Sequence, residues 1–269
     1  MDLRVLSANT ALAWNRRASA NDFARRLMWL YSHALPRAFT PRQWTIGFCY
    51  PPPIGDVRLC LRNNAGADAF IHSEVFEHQY YRLPLVHRPA TILDLGANIG
   101  LSAVYFARLF PDAALACLEP APDNLRLLCR NLALNGVRAA VMAAAVDAED
   151  RPLMLELRGR DYEHKIVEAC EHGARPTLQV AGVSVPTILR HLSWDRIGLL
   201  KVDIEGHEAA LFAGDCAWLE RVDAMCIEWH VECGAARLAS LAERFGFDAP
   251  QQLPGIWFMS RRIASATAA

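Results

Sequence analysis

The sequence has 8 cysteines (Cys49, Cys60, Cys117, Cys129, Cys170, Cys216, Cys226 and Cys233) but no Cys-x-x-Cys pair. Zinc clusters and redox dithiols usually space their thiols that closely. The pattern therefore predicts free thiols in a reducing compartment. It also lacks any apolar run near the roughly 20 residues that cross a bilayer, so no membrane span is expected. Residues 1–20 lack the order of a secretory leader, because Arg16 and Arg17 follow Leu12-Ala13-Trp14 instead of preceding it. A cytoplasmic location is the resulting expectation. An excess of one charge is missing too. The 28 Lys and Arg against 29 Asp and Glu leave a formal charge of −1 at pH 7, with no long basic run. This argues against nucleic acid as the main partner, although a local patch could still form in three dimensions.

What is present suits a packed domain. Hydrophobic residues make up 53% and charged residues 21% of 269, enough for a sizeable core and too apolar for global disorder. Residues 1–88 read as a helix with a small β extension, and residues 89–269 as the main domain. In the first part, Asn21-Asp22 is the expected cap of a helix from Phe23 to about Leu35, ended by Pro36. Trp44–Tyr50, Val57–Arg62 and Ala69–Val75 read as short strands. The N-terminal helix is a candidate for pairing two protomers into a homodimer.

From Thr91 onward, short apolar strands alternate with amphipathic helices, which predicts a parallel sheet covered on both faces. Strands are expected at Thr91–Asp94, Ala114–Glu119, Ala139–Val146, Ile197–Asp203, Ala224–Trp229 and Ile256–Met259. Helices are expected at Leu101–Phe110, Asp123–Asn135, Glu208–Phe212 and Ala235–Phe245. Arg158–Pro176 breaks the rhythm and reads as a mobile flap near a substrate mouth, or equally as a plain surface insertion. The tail Ala264–Ala269 is expected to fray. No internal repeat is evident.

The most informative stretch is Asp94-Leu95-Gly96-Ala97-Asn98-Ile99-Gly100, between a strand and a helix. Gly96 and Gly100 remove side chains where a ligand approaches backbone amides. The Gly-x-Gly-x-x-Gly pattern of dinucleotide sites is absent, and an acid stands at the strand end. Asp94 would repel a pyrophosphate but attract a phosphate-free cation, which points to S-adenosylmethionine, with its ammonium and sulfonium. Glu119 ends the next strand, where an acid accepts from ribose hydroxyls. Pro120 then turns the chain beside the adenine position. Ala145 and Asp147 end the third strand, where adenine edges are read; a turn role for Asp147 is the alternative.

A second dense motif is Leu199-Leu200-Lys201-Val202-Asp203-Ile204-Glu205-Gly206-His207-Glu208. Asp203 and Lys201 share a strand face, so Lys201 is expected to pair with one of the nearby acids. With DLGANIG, CLEPAPDN, LALNGV and LLKVDIEGHEAALFAG in this order, the sequence resembles the FkbM family of methyltransferases over about Phe70 to His230. Phe76–Tyr81 is similar to that family's segment before the first motif, with Tyr81 at its tyrosine. The resemblance implies a class I methyltransferase fold: an α/β Rossmann-like αβα sandwich with a seven-stranded, mostly parallel sheet and an antiparallel last strand. It implies S-adenosyl-L-methionine as cofactor and methyl transfer to a hydroxyl on a sugar or natural-product small molecule. Asp94, Gly96, Asn98, Gly100 and Glu119 match its cofactor motifs, and Asp203, Glu205, Gly206 and Glu208 its second motif. His207 departs from the small residue often found there, as a surface change or a substrate contact.

Hydroxyl methylation needs alignment and removal of a proton. Asp203 and His230 are the candidate catalytic groups, Asp203 also as a cofactor contact. An unperturbed histidine titrates near neutrality, which suits a base; a structural role for His230 stays open. Glu205, His207 and Glu228 are candidate substrate contacts, Glu228 either orienting His230 or pairing with Lys201. Phe70–Tyr81 and Trp229 are a candidate apolar wall, with plain packing the alternative. A metal held by Asp203, Glu205, Glu228 and His230 is conceivable, but none is expected. The Asn/Asp-Pro-Pro-Tyr-like run of amide and nucleobase methylating enzymes is absent. The competing readings are an N-methyltransferase on a small-molecule amine, a non-catalytic Rossmann-like binding module and, last, a nucleotide-dependent oxidoreductase.

Overall fold

A computed structural model describes residues 10–31, 41–157, 164–167 and 175–261. Its main sheet has seven strands in the order β12-β13-β11-β10-β3-β4-β5. These are β3 (Thr91–Leu95), β4 (Ala114–Leu118), β5 (Ala140–Met142), β10 (Leu199–Val202), β11 (Ala224–Ile227), β12 (Gln251–Leu253) and β13 (Ile256–Ser260). The pairs β5–β4, β4–β3, β3–β10 and β10–β11 are parallel, whereas β13 runs antiparallel to both β11 and β12. The last strand in the chain is thus the antiparallel one, as expected.

Strand alternation builds a core on each face. Ile92, Leu115, Cys117 and Cys226 join one apolar cluster, and their neighbours Leu93, Ala116, Leu118 and Ile227 join the other. Helix α3 (Leu101–Leu109) is buried continuously from Leu101 to Phe106. Such a helix has no solvent face, and here it lies between the sheet and the N-terminal extension. In α4 (Pro122–Leu134) the buried residues Asn124, Leu127, Leu128, Asn131 and Leu132 repeat at helical spacing. On the opposite face lie α5 (Val185–Leu192) and α7 (Gly234–Phe245), the latter through Leu238, Leu241, Ala242 and Phe245. The result is the class I Rossmann-like sandwich.

The N-terminal extension shares the first core. Helix α1 (Ala20–Tyr31) and the hairpin β1 (Gln43–Cys49)–β2 (Asp56–Arg62) contribute Trp29, Ile46, Phe48 and Leu59 to the cluster that contains Ile92 and Phe258. One side chain clamps the two parts together. The Asn131 carboxamide accepts from Cys60 N (2.6 Å) and donates to Cys60 O (3.2 Å) and Ile99 O (2.8 Å).

Several expectations need correction. Ser19, not Asn21, caps α1, its hydroxyl accepting from Asp22 N at 3.1 Å. Asp22 instead accepts from Gly47 N at 2.8 Å and ties the helix to the hairpin. The segment Ala69–Val75 is no strand. Residues Ala67–His72 form α2, continued by a π-helical turn over Ser73–Glu77. Its buried positions Asp68, His72, Val75 and Phe76 follow the helical period, which the β-forming side chains obscured. The expected third strand divides in two. After β5 the chain leaves the main sheet, and β6 (Ala145–Asp147) enters a four-stranded sheet of order β6-β9-β7-β8. Its other strands are β7 (Arg151–Glu156), β8 (Lys165–Val167) and β9 (Thr177–Ser184). The first and last of these were not expected. Strand β8 falls inside the expected flap; most of that stretch, the terminal tail and residues 32–40 lie outside the described residues. The seven described cysteines are free thiols. Among the described residues, no helix is long and apolar enough to cross a membrane.

Candidate active site

In open α/β sheets, ligands bind outside the carboxyl ends of the strands where the strand order reverses. Here that point lies between β3 and β10, and the two sequence motifs meet there. Gly96 has φ +77, and a Cβ on it would lie 1.8 Å from the carbonyl oxygen of Asp203. Only the missing side chain lets the first loop lie against the end of β10. Gly100 precedes α3 with φ +83, where a Cβ would meet Leu128 at 2.6 Å. Asn98 and Glu205 are held at positive φ of 49 and 55. Left-handed backbone at non-glycine residues is strained and concentrates at functional sites.

Two adjacent cavities open over this junction. A narrow cleft of about 70 Å³ is lined by Glu119, Pro120, Asn124, Ala145, His164 and His207, among others. A wider cavity of about 470 Å³ is lined by Phe70, Glu74, Tyr80, Lys165, Glu228 and His230, among others. Gly96, Asn98, Asp203 and Glu205 line both.

The cleft side is closely bonded. The buried Glu119 carboxylate accepts from Asn98 N (2.9 Å), Ala121 N (2.9 Å) and Asn124 Nδ2 (3.3 Å). Burial pushes its pKa up to about 7 against the pull of those hydrogen bonds. Asp147, by contrast, lines neither cavity. It is buried and bonded to Arg151 (2.5 Å) and to His207 Nε2 (2.9 Å). His207, rather than Asp147, therefore faces the cleft. Asp94 lies beneath the glycine loop, fully buried. It accepts from Ser102 Oγ (2.6 Å) and pairs with the Lys201 ammonium (3.1 Å). Lys201 also donates to Gly96 O (2.7 Å) and reaches Asp203 (3.4 Å). Burial alone would lower its pKa, but Asp94, Tyr81 and Asp203 outweigh it and hold the ammonium charged. Asp94 thus braces the loop from below and does not line either cavity.

The wide cavity gathers acids around one ring. His230 Nε2 lies 3.3 Å from Glu228, 3.9 Å from Glu205 and 4.0 Å from Asp203, while Nδ1 lies 3.0 Å from Glu208. Burial alone would lower the His230 pKa; the hydrogen bonds to Glu208 and Glu228, with the charge of Asp203, push it up to about 11. Burial, reinforced by Asp203, pushes Glu205 up to about 8. Burial, reinforced by Glu228 and Asp203, pushes Glu74 up to about 7. Burial also raises Asp203, partly offset by Lys201. Asp203, Glu228 and His230 bring one donor atom each within 4.8 Å of one another, close enough to share a cation.

The sequence reading brought most of these groups to one place, with corrections. Tyr81 lines the wide cavity as expected, together with Phe70, Ile71, Val75 and Tyr80. Trp229 does not. Its ring stacks on Phe212 at 5.8 Å, and it packs in the second core. Lys201 pairs with Asp94 and Asp203, and Glu228 turns to His230. Glu74 and Lys165 were missed, the first because its helix was read as a strand. The helical spacing of Asp68, His72, Val75 and Phe76 was the available signal.

The site's chemistry fits a phosphate-free cationic ligand. Acids line both cavities, as does Asn98, whose buried Oδ1 has no hydrogen-bond partner. Comparison with known proteins is consistent with this chemistry. Residues 94–243 match the model of the methyltransferase FkbM domain. The chain is similar to methyltransferase sdnD of Sordaria araneosa, with 31% identity over 212 residues, covering 66% of this chain and 82% of that protein. It is also similar to the 31-O-demethyl-FK506 methyltransferase FkbM of Streptomyces tacrolimicus, with 26% identity over 219 residues, covering 68% and 83%. A crystal structure of methyltransferase FkbM from Methylobacillus flagellatus KT superposes with a TM-score of 0.48 and 14% identity, covering 96% of this chain and 59% of that one. With the domain match spanning both motifs that meet at the β3–β10 junction, the chain belongs to the FkbM methyltransferase family.

Proposed function

We propose that this methyltransferase uses S-adenosylmethionine to methylate a hydroxyl oxygen on a small molecule, a sugar or another natural product. The observation that carries the reading is the pair of neighbouring cavities that share Gly96, Asn98, Asp203 and Glu205 as lining. A donor in the narrow cleft and an acceptor in the wide cavity would meet at those four residues. When bound, S-adenosylmethionine supplies a methyl carbon on a sulfonium, whose carbon–sulfur electron pair returns to sulfur as the acceptor oxygen takes the methyl.

The chain's residues do the rest. Glu119, anchored by two backbone amides, offers its carboxylate at the end of β4 for ribose hydroxyls. Pro120, Ala145 and His207 wall the adenine end of the cleft. Asn98 and Asp203 offer acceptors where the donor's positive end would lie. On the acceptor side, Phe70, Ile71, Val75 and Tyr80 give an apolar wall to a cavity that Asp203, Glu205 and Glu228 also line. Orientation against that wall is worth more to catalysis than proton removal, because the leaving thioether is neutral. A relative whose name specifies an O-demethylated substrate, 31-O-demethyl-FK506, supports oxygen as the acceptor atom.

Calorimetry with S-adenosylhomocysteine and with NAD tests the donor. The homocysteine ligand is expected to bind and NAD to leave no heat; the reverse would end the proposal. A mass-spectrometric methylation screen of paired hydroxyl and amine acceptors tests the acceptor atom, and products on nitrogen alone would contradict the assignment to oxygen.

A further inference from the structure

The π-helical turn after α2 presents two acids to different surroundings. Glu77 is taken up behind the turn. Arg26 donates to it at 3.0 Å, and Arg16 lies 3.5 Å away. The Tyr50 hydroxyl joins Glu77 (3.5 Å) to the buried His72 (2.8 Å). None of these five side chains lines either cavity. Glu74 is different. It is half-buried and lines the wide cavity but not the narrow cleft. Among the described residues, no hydrogen bond or ion pair engages its carboxylate. The chain thus supplies two arginines for one acid and none for the other.

Aromatic rings share the wall with Glu74. Phe70 precedes it by four residues, the spacing that sets two side chains on one helical face. Phe70 lines the cavity and is 56% exposed, so its ring is free to meet a ligand. The chain then brings Tyr80 back to the same place, where its N–H donates to Glu74 O at 3.0 Å. Gly255, in the turn between β12 and β13, has φ +75, and a Cβ on it would lie 2.4 Å from the Tyr80 ring. Only glycine lets that ring rest on the turn. A carboxylate among aromatic faces suits an organic ammonium, which gains both the charge and the cation–π attraction. A hard metal ion instead needs several oxygen donors at once.

The cavity's own cations are placed elsewhere. Lys201 is bonded to Asp94, Asp203 and Gly96 O. The Lys165 ammonium lies over Gly206, 3.6 Å from where a Cβ would stand. Gly206 belongs to the turn between β10 and the short helix α6 (Glu208–Leu211), the turn that also carries Asp203 and Glu205. His230, in either protonation state, has Asp203, Glu205, Glu208 and Glu228 around it.

We propose that Glu74 is a specificity-determining residue: with Phe70 and Tyr80 it anchors an ammonium group of the acceptor, so that the enzyme selects hydroxyl compounds that also carry a basic amine, an amino sugar or an amino alcohol. The proposal rests on the methyl-transfer reading and deepens it. The amine is the handle, and the methyl goes to the hydroxyl oxygen.

The test is a mass-spectrometric methylation assay of the full chain on a panel of matched acceptors that differ only by NH2 for OH, serinol with glycerol and glucosamine with glucose among them. The amine-bearing members are expected to be methylated on oxygen, with kcat/KM about tenfold or more above their partners. Glu74→Gln should erase that preference through KM and leave S-adenosylhomocysteine affinity unchanged. Glu74→Asp, which keeps the charge, should retain part of the preference. A preference for the amine-free members, or one that survives in Glu74→Gln, would overturn the proposal. So would methyl on the amine itself, or no methylated amine-bearing member from a protein that binds S-adenosylhomocysteine. Weaker S-adenosylhomocysteine binding in Glu74→Gln would assign Glu74 to the donor's own ammonium and overturn it as well. A wild-type protein that binds no S-adenosylhomocysteine would instead sink the methyl-transfer reading, so the two failures are separable.

Discussion

The two halves of the strand-end junction handle their carboxylates differently. At β3 and β4, each acid is matched inside the protein: Asp94 by Lys201 and Ser102, Glu119 by two backbone amides and Asn124. At β10 and β11, Asp203, Glu205, Glu208 and Glu228 crowd one imidazole. The first half is a finished scaffold whose shape does not wait for a ligand. The second carries unbalanced negative charge, which a ligand cation would complete. Preorganisation and ligand-dependence thus sit side by side, joined by Lys201, which serves both.

The largest expected effect comes from breaking that join. Lys201→Met leaves the fully buried Asp94 without its counter-ion. Breaking a buried pair from one side costs about 3–5 kcal/mol. The midpoint of urea unfolding should fall accordingly; an unchanged midpoint would mean that the scaffold half does not depend on the pair. Gly96→Ala comes next. Its left-handed φ alone costs about 1–3 kcal/mol with a side chain, and the Asp203 carbonyl must also move. Both stability and S-adenosylhomocysteine affinity should drop, because the two halves would be pushed apart. Loss of stability with affinity intact would show that the close approach is not part of the binding site.

Glu119→Gln should lower affinity and stability together. Each Glu119 oxygen accepts a backbone N–H, so the new amide must set its NH2 against one of them, and hydrogen bonds to charged groups are worth about 1.5–3 kcal/mol. Calorimetry should show S-adenosylhomocysteine binding about tenfold weaker or more. Equal affinity would remove Glu119 from the ribose position.

The scaffold half was readable in the sequence because its signals are local. A glycine turn between strand and helix, and an acid at the next strand end, need no knowledge of distant contacts. The roles of individual acids were less readable. Asp94 and Asp147 were expected at the ligand, yet a lysine 107 residues along and a histidine 60 residues along claim them. Alternation along β10 placed Lys201 beside Asp203, but could not show that it reaches across to β3. The four-stranded sheet was only partly legible, because its strands draw partners from a polar stretch without a clear period. Glu74 was lost to a local ambiguity: Phe70, Ile71 and Val75 favour strands by type, whereas the buried positions Asp68, His72, Val75 and Phe76 are spaced as in a helix.

The smallest expected effect separates the halves by pH. Glu74 and Glu205 are raised by burial and neighbouring acids from 4.5 to about 7 and about 8. Each binds a proton more readily in the folded chain than in the unfolded one. Their contribution to stability is therefore full below the unfolded value and lost as pH rises through about 7 to 8. His230 has the same sign over a wider window, its stabilisation present below 6.5 and lost as pH rises toward about 11. Without ligand, the protein should melt at a lower temperature at alkaline than at mildly acidic pH. S-adenosylmethionine, which brings the sulfonium charge that S-adenosylhomocysteine lacks, should gain affinity relative to it over the same rise. Glu74→Gln should flatten the melting curve's dependence on pH without moving the urea midpoint as far as Lys201→Met does. A pH dependence that is flat in the wild type, or unchanged in Glu74→Gln, would mean that the acids of the second half are already balanced, and the contrast between the two halves would fail.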